Sequence, residues 1–447
     1  MSSLKYQSLD CDLLVTGGTM VLMDDQRRVL EDAALAIKDS WILWIGHPSE
    51  ISDIRAKTVL DAKGKWILPG MINGHCHSAM SLLRGLADDR KLMDWLTNVI
   101  WPAESKYADE QFVSTGTSLS CLEMMASGIT CFADMYFHAG AVAKAASDAG
   151  MRAICGQNVI DFDTPDNPKG WDFGLDLVRA HASQWSGHSL IRPGIAPHSP
   201  YAVAPNHLQQ AHQLSMELDL PFLIHVAEPE TEAQQIRDNF GASVPSVIEY
   251  LESLGVLTSN MIAAHVIWTD PDHDLPRLKK NRVGVVHCPH SNMKLASGVA
   301  HIPSMISHGI AVGLGTDGAA SNNDLSLWEE MDLAAKLHKL IQKDPTVMPA
   351  KTVFEMATIE GARAIGQEKM LGSLEVGKKA DLIVVDRDTP HQIPTYDPYA
   401  QLVYASKSSD VCSVVVDGVL IYHQRKPTLL DKQKVFADVE QYRKKLS

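Results

Sequence analysis

The sequence predicts a (β/α)8 TIM barrel joined to a small β-sandwich domain built from both chain termini. Three observations carry the prediction. Between residues 67 and 368, short apolar runs alternate with segments of helical composition and spacing, giving eight strand–helix units. Both ends of the chain read as short strands separated by turns. The middle strands also end in polar, metal-competent side chains, at the rim where such barrels keep their active sites. A chain of 447 residues suits a large α/β domain plus a smaller one. A doubly wound open sheet is the alternative reading of the same alternation.

In chain order, the amino-terminal strands are expected at 12–16, 34–37, 41–46 and 58–61. Their counterparts at the other end are 380–386 and 411–421, the latter broken by Asp417-Gly418, a good hairpin signal. Residues 1–66 and 369–447 are therefore assigned to one composite β domain, and 67–368 to the barrel. The first barrel strand is the apolar approach to His75. The others are expected at 128–134, 152–157, 192–197, 222–226, 261–265, 283–288 and 311–316. Segments such as 205–218, 244–254 and 325–340 supply helices between them.

Bulk properties exclude several classes. A formal charge of −14 argues against a nucleic-acid surface and against anionic lipid. No run approaches the roughly 20 apolar residues of a membrane span. The first residues, Met1 to Gln7, lack the basic-then-apolar plan of a signal peptide. Seven scattered cysteines without a CxxC pair fit a reduced compartment, so the expected location is cytoplasmic.

The chemistry gathers at the strand ends. His75 and His77 are two apart on a strand, so both side chains face one way and can converge on a divalent metal. Strand four ends in His198, strand five in His225 followed by Glu228, strand six in His265, and strand eight in Asp317. Singly, each could be a cap or a hydrogen-bonded structural residue; together at one rim they are hard to assign to packing. Three histidines and a carboxylate around an open site suit catalytic zinc or ferrous iron.

The segments 69–77 and 371–386, with this constellation, resemble the amidohydrolase superfamily and its mononuclear deaminase branch over nearly the whole chain. The resemblance implies one divalent metal ion per chain, Zn2+ or alternatively Fe2+, with His75, His77, His225 and Asp317 as ligands. Superfamily members with two metals carry a carboxylated lysine at the end of strand four, where this chain has His198. A water whose pKa the metal lowers to about 7 becomes a nucleophile. Asp317 then accepts its proton, Glu228 protonates a ring nitrogen, and His265 hydrogen-bonds the attacking oxygen. The reaction implied is hydrolytic deamination of an aromatic ring.

The Trp101-Pro102-Ala103-Glu104 and Pro197-His198-Ser199-Pro200-Tyr201 stretches are similar to those of 5'-methylthioadenosine/S-adenosylhomocysteine deaminases. That similarity implies a purine nucleoside substrate, with Glu104 on the ribose hydroxyls and His198 on the nucleoside. Glu228 and Asp317 are substrate-binding residues by the same resemblance. It also implies a homo-oligomer, while the charge and the lack of an apolar span leave no nucleic-acid or membrane partner expected. Glu104 could instead be a solvated carboxylate at a helix start. Met80, Leu83, Leu92 and Trp101 are candidates for an apolar pocket around a methylthio group. Family members that bind the amino-acid tail of S-adenosylhomocysteine use arginines after strands three and four. Here only Arg179 falls between Asn158 and Ser189, so methylthioadenosine or adenosine is expected over S-adenosylhomocysteine.

Several motifs are decoys. Gly313-Leu314-Gly315-Thr316-Asp317-Gly318 fits G-x-G-x-x-G, but Asp317 would set negative charge where a pyrophosphate needs donors. The H-x-E and P-C-x-x-C zinc deaminase signature is absent. His287, Cys288 and His290 read as a pocket rim rather than ligands. His138, His181, His188, His301 and His308 are expected on the surface or in loops. The rival functions are a guanine or triazine hydrolase of the same branch and a non-catalytic barrel scaffold.

Overall fold

A computed structural model describes residues 8–446 except 52 and 87. Residues 1–7, read above as lacking a signal-peptide plan, lie outside the described residues. Among the described residues, no helix is long and apolar enough to cross a membrane.

Eight parallel strands form the barrel: Met71–Cys76, Ile129–Tyr136, Arg152–Val159, Ile191–Pro197, Phe222–Val226, Met261–His265, Gly284–His287 and Val312–Leu314. They are called strands one to eight below. Each pairs with its neighbour in sequence, which excludes the doubly wound order with its reversal point. The two-residue period turns Ile72, Ala133, Ile154, Ala196, Leu223 and Val286 inward, and together they fill the barrel as a packed core.

Strands eight and one are joined mainly through side chains. Thr316 donates its backbone N–H to Asn73 Oδ1 at 3.0 Å, and Asn73 Nδ2 donates to Thr316 Oγ1 at 2.8 Å. The Asp317 N–H then donates to the His75 carbonyl at 3.0 Å. Gly315 permits the close approach, since a Cβ there would lie 2.9 Å from both N and O of His75. Closing the barrel and bringing Asp317 to the histidine strand are one event.

The terminal segments form one nine-stranded mixed sheet. Its central strand, Leu9–Val21, pairs antiparallel with Val29–Lys38 and parallel with Ile54–Asp61 and Trp66–Pro69. Leu382–Val385 adds to Trp66–Pro69, and the hairpin of Val411–Val416 with Val419–His423 extends the sheet. Asp417 and Gly418 turn that hairpin with φ of 51° and 81°, the left-handed pair a two-residue turn requires. Leu13, Val15 and Leu35 from one end of the chain share a core with Leu382, Val384 and Val415 from the other. The apolar approach to His75 is thus two strands: Trp66–Pro69 belongs to this sheet, and the barrel strand begins at Met71.

The expected helices form as Pro205–Glu217, Val247–Ser253 and Leu327–Gln342. The second starts later than its composition suggested because Ser246 caps it, accepting from the Glu249 N–H at 3.0 Å. One histidine reading is corrected. His181 is buried within helix Trp171–Trp185, 2.9 Å from the Cys155 carbonyl, because it lies on the face packed against the barrel.

Candidate active site

The site is assembled where strands one, five, six and eight end. His75 Nε2 and His77 Nε2 lie 3.3 and 3.2 Å from Asp317 Oδ1, and His225 Nε2 lies 3.2 Å from His77 Nε2. Atoms each about 2.0–2.1 Å from a common centre in tetrahedral array stand about 3.3 Å apart, so these separations fit zinc coordination. His75 Nε2 is buried without a hydrogen-bond partner. That is costly unless something completes it. Ligand atoms of His75, His225, His265 and Asp317 also all fall within 4.8 Å of one another, so His265 borders the same point.

The surroundings fix which nitrogens face the centre. His77 Nδ1 is 2.6 Å from the Met135 carbonyl, and His225 Nδ1 is 2.7 Å from the His198 carbonyl. A carbonyl only accepts, so Nδ1 carries the proton and Nε2 presents its lone pair. Ser291 and Ser321 both donate to Asp317 Oδ2, at 2.6 and 2.8 Å, which leaves Oδ1 to the histidines. Burial holds His75 down at about 4 and His225 well below the usual imidazole value. Burial also opposes charge on His77, but contact with Asp317 outweighs it and lifts the ring to about 9. In that pair a proton occupies the place a metal cation would take. The donor set therefore fits a divalent ion.

Beside this cluster stands a buried carboxyl group. Glu228 is 6% exposed, and its Oε2 lies 3.9 Å from His265 Nε2. Burial raises the Glu228 pKa, keeping it protonated longer than a surface glutamate. Asn292 Oδ1 holds His265 through Nδ1 at 2.9 Å. The backbone is left-handed at Ala227, His265, Val266 and Asp317, with φ of 50°, 70°, 47° and 60°. Such conformations are costly away from glycine, and they cluster here.

A cavity opens above these groups. His77, His225, Glu228, His265 and Asp317 form its floor; Glu104 and His198 line it too. Glu104 is no solvated helix-start carboxylate. It is 3% exposed in helix Trp101–Tyr107 and accepts a 2.6 Å hydrogen bond from Tyr136. Burial lifts its pKa to about 7. Burial likewise pushes His198 down to about 3, so it is a neutral ring at working pH. Met80, Leu92 and Trp101 line the cavity as expected, whereas Leu83 lies in the core beneath.

Sequence reasoning missed Tyr136, Asn158, Ser291, Ser321 and Asn292 as members of the site. Tyr136 and Asn158 lie beyond the expected ends of strands two and three, which in fact run to Tyr136 and Val159. Ser291 and Asn292 fall in the segment read as a rim, and they act through Asp317 and His265. His287 and His290 stay off the centre: His287 meets His338 at 3.3 Å, and His290 pairs with Glu330 at 3.2 Å.

An eight-stranded parallel barrel with imidazoles and a carboxylate converging at its carboxyl-terminal rim defines the class of metal-assisted hydrolases. Residues 66–421 match the amidohydrolase family model. The 5-methylthioadenosine/S-adenosylhomocysteine deaminase of Syntrophobacter fumaroxidans is 42% identical over 429 residues, 96% of this chain and 97% of its own. An adenosine deaminase from Xanthomonas campestris, solved with bound zinc, superposes with a TM-score of 0.95 at 33% identity, covering 98% of this chain and 99% of that one. Atrazine chlorohydrolase from Arthrobacter aurescens is 24% identical with a TM-score of 0.87, covering 96% of this chain and 99% of that chain, a likeness of fold alone. This chain belongs to the amidohydrolase family.

Proposed function

We propose that the protein is a hydrolytic deaminase of adenosine-type nucleosides, replacing the 6-amino group by oxygen and releasing ammonia, with 5'-methylthioadenosine the foremost substrate. The observation that carries this reading is the pairing, in one cavity, of the Glu228–His265–Asp317 floor with the buried Glu104 carboxylate. A guanine or triazine ring has no sugar hydroxyls for Glu104 to accept. The 42% identity to a 5-methylthioadenosine/S-adenosylhomocysteine deaminase supports the same substrate class.

One divalent ion per chain, zinc or alternatively ferrous iron, held by His75, His77, His225 and Asp317, would supply an activated water at neutral pH. The residues then account for every proton. Glu228, whose protonated form burial favours, gives its proton to ring N1 as the water oxygen adds to C6. Asp317 takes the first proton of that water and passes it to the amino nitrogen, which leaves as ammonia. The second passes from the new hydroxyl to Glu228 as the C6 carbonyl forms, restoring the acid. His265, held by Asn292, hydrogen-bonds the incoming oxygen and fixes its approach.

The test is an ultraviolet assay of the zinc-loaded protein with adenosine, 5'-methylthioadenosine, S-adenosylhomocysteine, guanine and aminotriazines. The expected result is the amino-to-oxo spectral change with the adenosine-type nucleosides. Turnover of guanine or a triazine alone would refute the nucleoside reading.

A further inference from the structure

Asn158 is a buried amide in the cavity wall that no step above uses. Strand three turns Ile154 into the barrel core, and the two-residue period puts Asn158 on the same face two layers higher, at the rim. Its Oδ1 is buried and has no hydrogen-bond partner. The strand order places it away from the reacting floor. Its neighbours are strand two, whose Tyr136 holds Glu104, and strand four, which ends beside His198; Glu228 and His265 follow strands five and six. Glu104 Oε1 already accepts from Tyr136, and the Asn158 amide oxygen adds a second, uncharged acceptor to the same cavity.

The walls around Asn158 are neutral or acidic. Trp101 and Phe162 pack at a ring-centroid distance of 5.2 Å, and Ile160 continues that apolar surface. No Lys or Arg is among the described residues lining the cavity, whereas Glu104, Glu228 and Asp317 are. Three cations that flank the lining segments in the chain are engaged elsewhere. Lys294 donates to Asp88 at 2.6 Å, Lys169 lies 4.4 Å over the Phe173 ring, and Arg90 pairs with Asp94. Arg179 lines a different cleft with Leu218 and Leu220. A carboxylate on the ligand's 5' side would be desolvated here with no Lys or Arg among the described lining residues to pair it.

We propose that Asn158 is a substrate-binding residue whose amide accepts a sugar hydroxyl in a neutral, aromatic-walled subsite, so that the enzyme selects nucleosides with uncharged 5' substituents over those bearing an amino-acid tail. The proposal rests on the nucleoside reading and adds to it a residue and a direction of selectivity.

The experiment measures kcat and KM of the zinc-loaded full chain and of Asn158→Ala and Asn158→Leu. Circular dichroism checks that both variants fold. The substrates are methylthioadenosine, S-adenosylhomocysteine, adenosine and its 2'-, 3'- and 5'-deoxy analogues. The wild type is expected to favour methylthioadenosine over S-adenosylhomocysteine by about 100-fold in kcat/KM, the scale on which an unpaired buried charge is rejected. Each variant is expected to lose about tenfold on adenosine, mainly in KM, as one lost hydrogen bond implies. That loss should vanish for the one analogue lacking the partner hydroxyl. Equal use of the two thio-nucleosides, unchanged variants, or the full loss on all three analogues would overturn the proposal while leaving the nucleoside reading intact. Absence of turnover with every nucleoside would instead overturn that reading.

Discussion

At the amino-terminal end of the barrel, under the terminal sheet, Arg152 donates to both carboxylate oxygens of Asp381 at 2.8 and 3.0 Å. It also reaches Asp417 at 3.0 Å and the Ser189 carbonyl at 2.7 Å. Lys379 completes the cluster at 2.9 Å from Asp417. At the carboxyl-terminal end, a more deeply buried set of polar groups leaves His75 Nε2 and the Asn158 amide oxygen unpaired, and burial raises the pKa values of Glu104 and Glu228. Both ends pay for desolvation, but only one is compensated within the chain. Closed valence at the base marks a joint between barrel and sheet, and open valence at the rim marks a place for a ligand.

The largest effect that would sharpen this contrast is at the rim. Glu228→Gln keeps the shape of the side chain and removes its proton. Turnover of methylthioadenosine should fall by about 10³- to 10⁴-fold, as loss of a general acid implies, with bound zinc and melting temperature nearly unchanged. Metal analysis and steady-state kinetics decide it, and retained turnover would remove Glu228 from the proton path. Chelation should abolish activity and also lower the melting temperature, because a bound ion stabilises the folded state that holds it.

The base should respond the other way. Arg152→Met leaves Asp381 buried without its arginine, a change that costs about 3–5 kcal/mol when one member of a buried pair is removed. Urea unfolding should show that loss, while kcat and KM stay near wild type at a temperature where the variant is folded. A variant as stable as wild type, or one with a specific loss in kcat, would break the assignment of this cluster to the joint.

The sequence makes the histidine and Asp317 cluster at the rim more legible than the wall around Glu104. His75, His77, His225, His265 and Asp317 are few, follow apolar runs and carry chemistry in their side-chain types, so strand ends alone located them. Tyr136 and Asn158 were hidden because their strands run further than alternation indicated, and an asparagine or tyrosine at a strand end is ordinary. Ser291 and Ser321 gain meaning only through Asp317, 26 and 4 residues away in sequence. The eight strands were legible because buried parallel strands are continuous apolar runs. The division at Pro69 was not, because the terminal-sheet strand and the first barrel strand are both apolar and only Gly70 separates them.

The smallest effect, and the most direct comparison of the two ends, is the pH dependence of stability. Burial raises Glu104 in the folded protein to about 7, whereas the ordinary value is 4.5. Between those values the folded protein keeps a proton the unfolded chain has released. The contribution of Glu104 to stability is therefore full below about pH 4.5 and is lost as pH rises toward 7, by on the order of 2–3 kcal/mol. At the base, burial also acts against the Asp417 carboxylate, but Lys379 and Arg152 outweigh it and hold its pKa below the usual value. Its contribution is present above the unfolded pKa and lost as pH falls through the folded one. Glu104→Gln keeps an acceptor for Tyr136 and removes the titration, so the variant should gain on wild type between pH 5 and pH 8 in urea unfolding. A constant difference across that range would mean that Glu104 ionises freely, and that the rim is as well compensated as the base.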